Sequence, residues 1–127
     1  MIQENALRII TVIENNDYLK KVAGNIAQLN NASVVASSRN TTNIVELCSL
    51  LSPDILIYDL SGKDDNFNNK IKEICNAKNH SVKVIATASS KEGETLISDS
   101  IKNGADLFMD NLDNPDILRS TLRVISG

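Results

Sequence analysis

The chain has 127 residues, of which 42% are apolar and 23% charged, values typical of a single globular domain. The net charge of −3 offers no basic surface for nucleic acid. No apolar run approaches the ~20 residues of a membrane span, and the first residues lack the pattern of a secretory signal. Cys48 and Cys75 lack metal-ligand spacing. We therefore expect one reduced, cytoplasmic domain over residues 1–127 that binds neither nucleic acid nor membrane.

The first half of the chain alternates short apolar runs with segments of helical periodicity. Residues 7–13 form a β-branched run that predicts strand 1, and apolar residues at three- and four-residue spacing predict a helix over 17–29. Residues 32–37 predict strand 2, and the second helix that follows ends before Pro53. Residues 55–58 predict strand 3.

The second half continues this alternation. A polar loop rich in asparagine follows strand 3 and leads to a short third helix. Residues 82–87 predict strand 4, and a fourth helix follows that ends in a left-handed turn at Asn103 and Gly104. Residues 107–109 predict strand 5, and Asn114 and Pro115 cap and start the fifth helix.

Five such β–α units predict an α/β fold with one doubly wound, five-stranded parallel sheet of order 2-1-3-4-5, as in flavodoxin-like proteins. Strands without polar alternation are typical of a sheet covered on both faces. In such sheets ligands bind beyond the carboxyl ends of the strands, where strands 1 and 3 diverge. The residues that follow the strands are therefore the candidates for a functional site.

Three polar side chains stand at these strand ends: Glu14 after strand 1, Asp59 after strand 3 and Thr87 at the end of strand 4. Two nearby carboxylates repel each other, and Mg²⁺ relieves that repulsion because it prefers a few carboxylate oxygens together with water. The arrangement suits phosphoryl transfer onto a carboxylate. Singly, each residue has an ordinary explanation as a turn, helix-start or strand residue, so the prediction depends on their shared location.

Four segments carry a resemblance to a known family: RIITVIEN, PDILIYDL, VKVIATA and GADLFMDN, at strands 1, 3, 4 and 5. Together they resemble the CheY-like receiver domain of response regulators, and the likeness extends over essentially the whole chain. It implies that Asp59 is the phosphoacceptor, Thr87 the hydroxyl that follows the phosphoryl group, and Phe108 the aromatic ring that turns inward with it. It also implies a Mg²⁺ ion on Glu14, Asp59 and the backbone carbonyl of Ser61.

The sequence also departs from the family pattern. Ile13 stands at the first of the two acidic positions after strand 1, Asn111 stands at the usual lysine and Leu112 at the usual proline. Without the lysine, the site lacks a charge-assisted hydrogen bond of ~1.5–3 kcal/mol. Lys63, in the loop after strand 3, is a candidate substitute cation. We therefore expect an atypical phosphorylation site with weakened Mg²⁺ binding.

Two functions are consistent with these residues. The first is a non-enzymatic receiver that a sensor histidine kinase or phosphotransfer protein phosphorylates, and whose fourth helix, fifth strand and fifth helix then bind an output domain or a second copy. The alternative is a pseudo-receiver, a docking or dimerisation module independent of phosphorylation, for example the N-terminal domain of a pilus-assembly ATPase or transcription regulator. A cofactor-binding enzyme of flavodoxin-like shape is disfavoured, since no glycine-rich phosphate-binding motif is present.

Overall fold

The structure, a computed structural model, describes residues 6–40, 42–61 and 82–126. In chain order these residues form β1 (Leu7–Val12), α1 (Asn16–Ala27), β2 (Ala32–Ser38), α2 (Ile44–Leu51), β3 (Ile55–Asp59), β4 (Lys83–Thr87), a 3₁₀ segment (Lys91–Leu96), α3 (Ile97–Lys102), β5 (Leu107–Phe108) and α4 (Pro115–Ser126). The third helix predicted from the sequence, Lys63 and Cys75 lie outside the described residues, so α3 and α4 are the fourth and fifth predicted helices. None of the helices in the described ranges is long and apolar enough to span a membrane.

All five strands belong to one sheet of order β2-β1-β3-β4-β5, and every pairing is parallel. The predicted order of the doubly wound fold is therefore confirmed. The register pairs Val12 of β1 with Tyr58 of β3, and Asp59 of β3 with Thr87 of β4. The carboxyl ends of these three strands consequently lie at one edge of the sheet.

An apolar cluster covers each face of the sheet. Ile9 and Ile57 belong to the cluster under α1 and α4, whereas their strand neighbours Ile10 and Leu56 belong to the cluster under α2. Successive side chains of a strand point to opposite faces, so a strand buried on both faces must be apolar at every position. This packing explains the unbroken apolar runs in the sequence.

The helix ends follow local sequence signals, with small shifts in their bounds. The side chain of Asn114 accepts hydrogen bonds from the backbone N–H groups of Asp116 and Ile117, at 2.9 and 3.2 Å, and so caps α4 as predicted. Helix α2 ends at Ser52, in the left-handed conformation, directly before Pro53. The helix predicted over 17–29 spans residues 16–27, and β5 ends one residue earlier than expected, at Phe108.

Leu118 and Val124 provide a matched test of this packing because both lie on α4. Leu118 is 0% exposed in the cluster shared with α1, whereas Val124 is 73% exposed. Leu118→Ala should lower the free energy of unfolding by about 2–5 kcal/mol, through lost burial and the cavity left behind. Val124→Ala should change it by less than about 0.5 kcal/mol. Urea unfolding followed by circular dichroism measures both, and equal losses would contradict the described orientation of α4.

Candidate functional site

Asp59 is the last residue of β3, and its carboxylate is held from one side. The side chain is only 2% exposed, and its Oδ1 accepts hydrogen bonds from the backbone N–H groups of Ser61 at 2.9 Å and Ser89 at 3.0 Å. The other oxygen, Oδ2, is buried and has no hydrogen-bond partner among the described residues. A buried polar atom without a partner is costly, and it marks a position where a bound group would find an acceptor.

The loops after β3 and β4 are joined to each other beside this carboxylate. Ser61 Oγ donates to the backbone carbonyl of Ser90 at 3.1 Å and accepts from the backbone N–H of Ser90 at 3.0 Å. The backbone N–H of Leu60 also donates to the carbonyl of Thr87, at 2.8 Å. These bonds hold the backbone N–H groups of Ser61 and Ser89, which donate to Asp59, in a fixed position. Sequence reasoning missed Ser89 and Ser90, because their contribution comes mainly from the backbone.

Thr87 lies opposite Asp59 in the sheet, and its hydroxyl contacts helix α1. The Thr87 Oγ1 and Tyr18 Oη atoms are 2.6 Å apart, and the backbone N–H of Leu112 donates to Tyr18 Oη at 3.1 Å. Burial raises the pKa of Tyr18 above its ordinary value of 10.0, although these two hydrogen bonds act in the opposite direction. Sequence reasoning missed Tyr18, which is not part of the apolar series that predicted α1. The available signal was that a buried tyrosine hydroxyl requires a partner.

Glu14 follows β1 by two residues and lies at the same sheet edge. Its side chain is half-buried, and its backbone carbonyl accepts from the Arg39 guanidinium at 3.4 Å. The described residues contain no group of three or more His, Cys, Asp or Glu side chains arranged around a metal position. Mg²⁺ needs only one or two carboxylates, with carbonyl and water oxygens completing its shell. The set of Glu14, Asp59 and the Ser61 carbonyl thus fits Mg²⁺ chemically, and its use as a metal site stays a prediction.

Comparison with known proteins shows which solved structures share this fold. No protein-family model and no curated protein sequence matches the chain. The structure is similar to the signal receiver domain of NarL from Mycobacterium tuberculosis, with a TM-score of 0.79 and 14% identity over 97% of this chain and 98% of that one. It is also similar to the response regulator domain of Thermotoga maritima CheB, with a TM-score of 0.71 and 18% identity over 95% and 92% of the two chains. The chain has the receiver-domain fold.

A further structural neighbour of this receiver fold comes from Burkholderia thailandensis and is ascribed to pilus assembly (cpaE). Its TM-score is 0.73, with 18% identity over 95% of this chain and 99% of that one. Receiver domains of the response regulator type are thus the structural relatives, as the strand-end motifs predicted. At such identities the likeness establishes the fold, and the roles of Asp59, Thr87 and Phe108 stay predictions.

Two departures from the receiver pattern have clear structural correlates. Ile13, at the first acidic position, is fully buried in the apolar cluster with Tyr18. Asn111, at the lysine position, is exposed and adopts a left-handed backbone conformation with φ of 57°, which asparagine tolerates better than most residues. Its Nδ2 donates to Asp110 Oδ1 at 3.2 Å. The first position therefore belongs to the core, and the second brings no charge to the receiver site.

Phe108, the predicted switch aromatic of the receiver, lies on the other face of the sheet from Tyr18. Its half-buried ring packs against the cluster under α2, and its register partner on β4 is Ala86, the neighbour of Thr87. Tyr18, which bonds to Thr87, belongs to the opposite cluster, under α1 and α4. The structure thus separates the two aromatic rings that adjoin the end of β4.

Replacing Tyr18 with Phe should change how stability depends on pH. The unfolded tyrosine loses its proton near pH 10 and the folded one holds it, so the Tyr18 contribution is present below pH 10 and is lost as pH rises through its raised folded pKa. At neutral pH we expect Tyr18→Phe to cost about 1–3 kcal/mol, because the buried Leu112 N–H loses its acceptor. This deficit should shrink above pH 10. Urea unfolding between neutral and alkaline pH measures it.

The titration of Cys48 affects the stability of both variants equally. Burial raises the pKa of its thiol from 9.0 to about 11, so it also lowers the stability at alkaline pH. That contribution is the same in the wild type and in Tyr18→Phe, and it cancels in their difference. A deficit that stays constant across pH 10 would show that Tyr18 titrates in the folded protein as it does in the unfolded chain.

Proposed function

We propose that this chain is a receiver domain of phosphorelay signalling and that Asp59 accepts a phosphoryl group. The observation that supports the proposal most directly is the asymmetry of the Asp59 carboxylate. Two backbone N–H groups hold Oδ1, whereas the buried Oδ2 finds no donor in the described part of the chain. A nucleophile fixed through one oxygen presents the other in a defined direction, which is the positioning that phosphoryl transfer requires.

In the proposed reaction a lone pair of Asp59 Oδ2 attacks the phosphorus atom of the donor. A new O–P bond forms, and the bond from phosphorus to the leaving group breaks with its electron pair going to that group. With a sensor histidine kinase or a phosphotransfer protein, the broken bond is the P–N bond of a phosphohistidine. The product is a mixed anhydride on Asp59. The N–H groups of Ser61 and Ser89, which already donate to Oδ1, are adjacent donors for the phosphoryl oxygens.

We assign a Mg²⁺ ion of this site to Glu14, Asp59 and the backbone carbonyl of Ser61. When bound, Mg²⁺ supplies positive charge that offsets the carboxylates and the phosphoryl oxygens. Only two carboxylates contribute here because Ile13 belongs to the core. We therefore expect weak metal binding, and slower phosphorylation than a site with a full acidic pair and a lysine would give.

The proposed output surface consists of α3, β5 and α4, the fourth helix, fifth strand and fifth helix of the sequence analysis. Leu96, at 42% exposed, is the last residue of the 3₁₀ segment before α3, and Ile101, at 44% exposed, lies on α3. Val124 of α4 is 73% exposed. Large apolar side chains are thus exposed on the elements before and after β5 in the chain, which supports docking of an output domain or of a second copy here.

A second candidate is docking or dimerisation without phosphorylation, as in a pseudo-receiver. Two observations favour it. Ile13 is buried, so the acidic pair has one member, and Asn111 pairs with Asp110 and brings no positive charge to the lysine position. One structural neighbour, from Burkholderia thailandensis, is ascribed to pilus assembly. The N-terminal domain of a larger pilus-assembly ATPase is therefore one place we consider for such a module. A transcription regulator is the other larger protein we consider. The labelling experiment below separates the two candidates.

Incubation with Mg²⁺ and acetyl phosphate should add the mass of one phosphoryl group to the wild type. Asp59→Asn should abolish this gain, because it removes the attacking oxygen. Asp99→Asn, a matched change of an exposed acid on α3, should leave the gain intact. Intact-protein mass spectrometry measures all three. If the wild type gains no mass under conditions that label an ordinary receiver, the docking candidate replaces phosphorylation.

Glu14→Gln should weaken Mg²⁺ binding by more than about tenfold, since removal of even an outer partner of a metal ligand has effects of this size. Asp59→Asn should weaken it similarly if both carboxylates share one ion. Glu46→Gln, an exposed acid on α2, is the control and should bind as the wild type does. Isothermal titration calorimetry with MgCl₂ measures the affinities. Unchanged binding in Glu14→Gln would remove Glu14 from the metal site.

A further inference from the structure

Helix α1 holds the segment after β5 at two backbone atoms of one residue. The Leu112 N–H donates to Tyr18 Oη at 3.1 Å, and the Leu112 carbonyl accepts from Asn25 Nδ2 at 3.2 Å. The Leu112 side chain is 0% exposed in the cluster that α1 covers. The position of Leu112, next to Asn111 at the usual lysine position, is therefore tied to α1.

Tyr18 also connects this segment to the end of β4. A backbone N–H can only donate, so Tyr18 Oη accepts from Leu112. The Tyr18 proton is then available for Thr87 Oγ1, 2.6 Å away. In that arrangement the Thr87 hydroxyl proton is the donor, among these three groups, that is not already committed. Thr87 adjoins Asp59, whose Oδ2 has no donor within the described residues.

Phe108 offers Thr87 no comparable connection. Its ring packs into the cluster under α2, on the other side of the sheet from the Tyr18 hydroxyl. A threonine hydroxyl that turns toward a phosphoryl group on Asp59 would first change its 2.6 Å contact with Tyr18. That change would reach Leu112 through the same tyrosine oxygen.

We propose that Tyr18 is a positioning residue that couples the state of Asp59 to helix α1 and to the Asn111–Leu112 segment, in place of a route through Phe108. The coupling rests on the proposed phosphorylation of Asp59. It goes beyond that proposal because it names α1 as the element that responds.

The test uses the ¹⁵N-labelled full chain with Mg²⁺ and acetyl phosphate, followed by NMR and by intact mass. In the wild type, phosphorylation should shift the amide signals of Leu112 and α1. Tyr18→Phe should still gain the phosphoryl mass but lose these shifts. Its acyl phosphate should also have a lifetime changed by roughly threefold to tenfold, the equivalent of one neutral hydrogen bond. Asn25→Ala, which removes the other hydrogen bond between α1 and Leu112, should retain the shift of α1.

Two further variants keep the test independent of the folding of Tyr18→Phe. Thr87→Ser retains the hydroxyl and should retain the shifts at Leu112, whereas Thr87→Val should lose them. Shifts at Leu112 that are equal in the wild type and Tyr18→Phe, or shifts confined to Phe108 and α3, would overturn the coupling and leave phosphorylation intact. Absence of any mass gain in the wild type would instead overturn the proposed function, and the coupling with it.

Discussion

The parallel register of β3 and β4 pairs Asp59 with Thr87 and brings together the loops that follow these two strands. The loops that follow these two strands must start side by side, and Ser61 and Ser90 join them through reciprocal hydrogen bonds. Two backbone N–H groups are thereby directed at one carboxylate oxygen of Asp59. The donors of the candidate site are thus backbone groups, and the Ser61 hydroxyl holds together the two loops that carry them.

The cost of this arrangement indicates what the site is for. A buried acceptor left without a partner costs about 1–3 kcal/mol, and Oδ2 of Asp59 is in that state within the residues described. A protein is only marginally stable, so an expense of this size at the carboxyl edge of a parallel sheet fits a binding position better than a structural one. The absence of an acid at Ile13 and of a lysine at Asn111 argues against efficient chemistry at this position. Without a lysine the site forgoes ~1.5–3 kcal/mol of charge-assisted bonding, which would slow the proposed phosphoryl transfer.

The two candidate functions share the same framework. Phosphorylation uses the oriented carboxylate of Asp59, and docking uses surfaces such as the exposed apolar side chains around β5. Tyr18 adds a connection between the site and α1, because its hydroxyl meets both Thr87 and Leu112. A site that has lost a cation can therefore still have a mechanical link to its surroundings. This link passes through the face of the sheet that α1 and α4 cover, the face opposite to Phe108.

The sequence by itself determined the parallel sheet, its strand order and the edge at which Asp59 and Thr87 lie. Strands buried on both faces must be apolar throughout, and right-handed crossovers leave few topologies for five such units. It also identified the cap at Asn114, which is a local interaction. Only the tertiary structure decided that Tyr18 is the partner of Thr87, 69 residues away, and that one oxygen of Asp59 lacks a donor among the described residues. The apolar spacing of α1 does not single out Tyr18. The atom that its hydroxyl meets depends on how α1 sits against β4 and the segment after β5, and no local pattern encodes that placement.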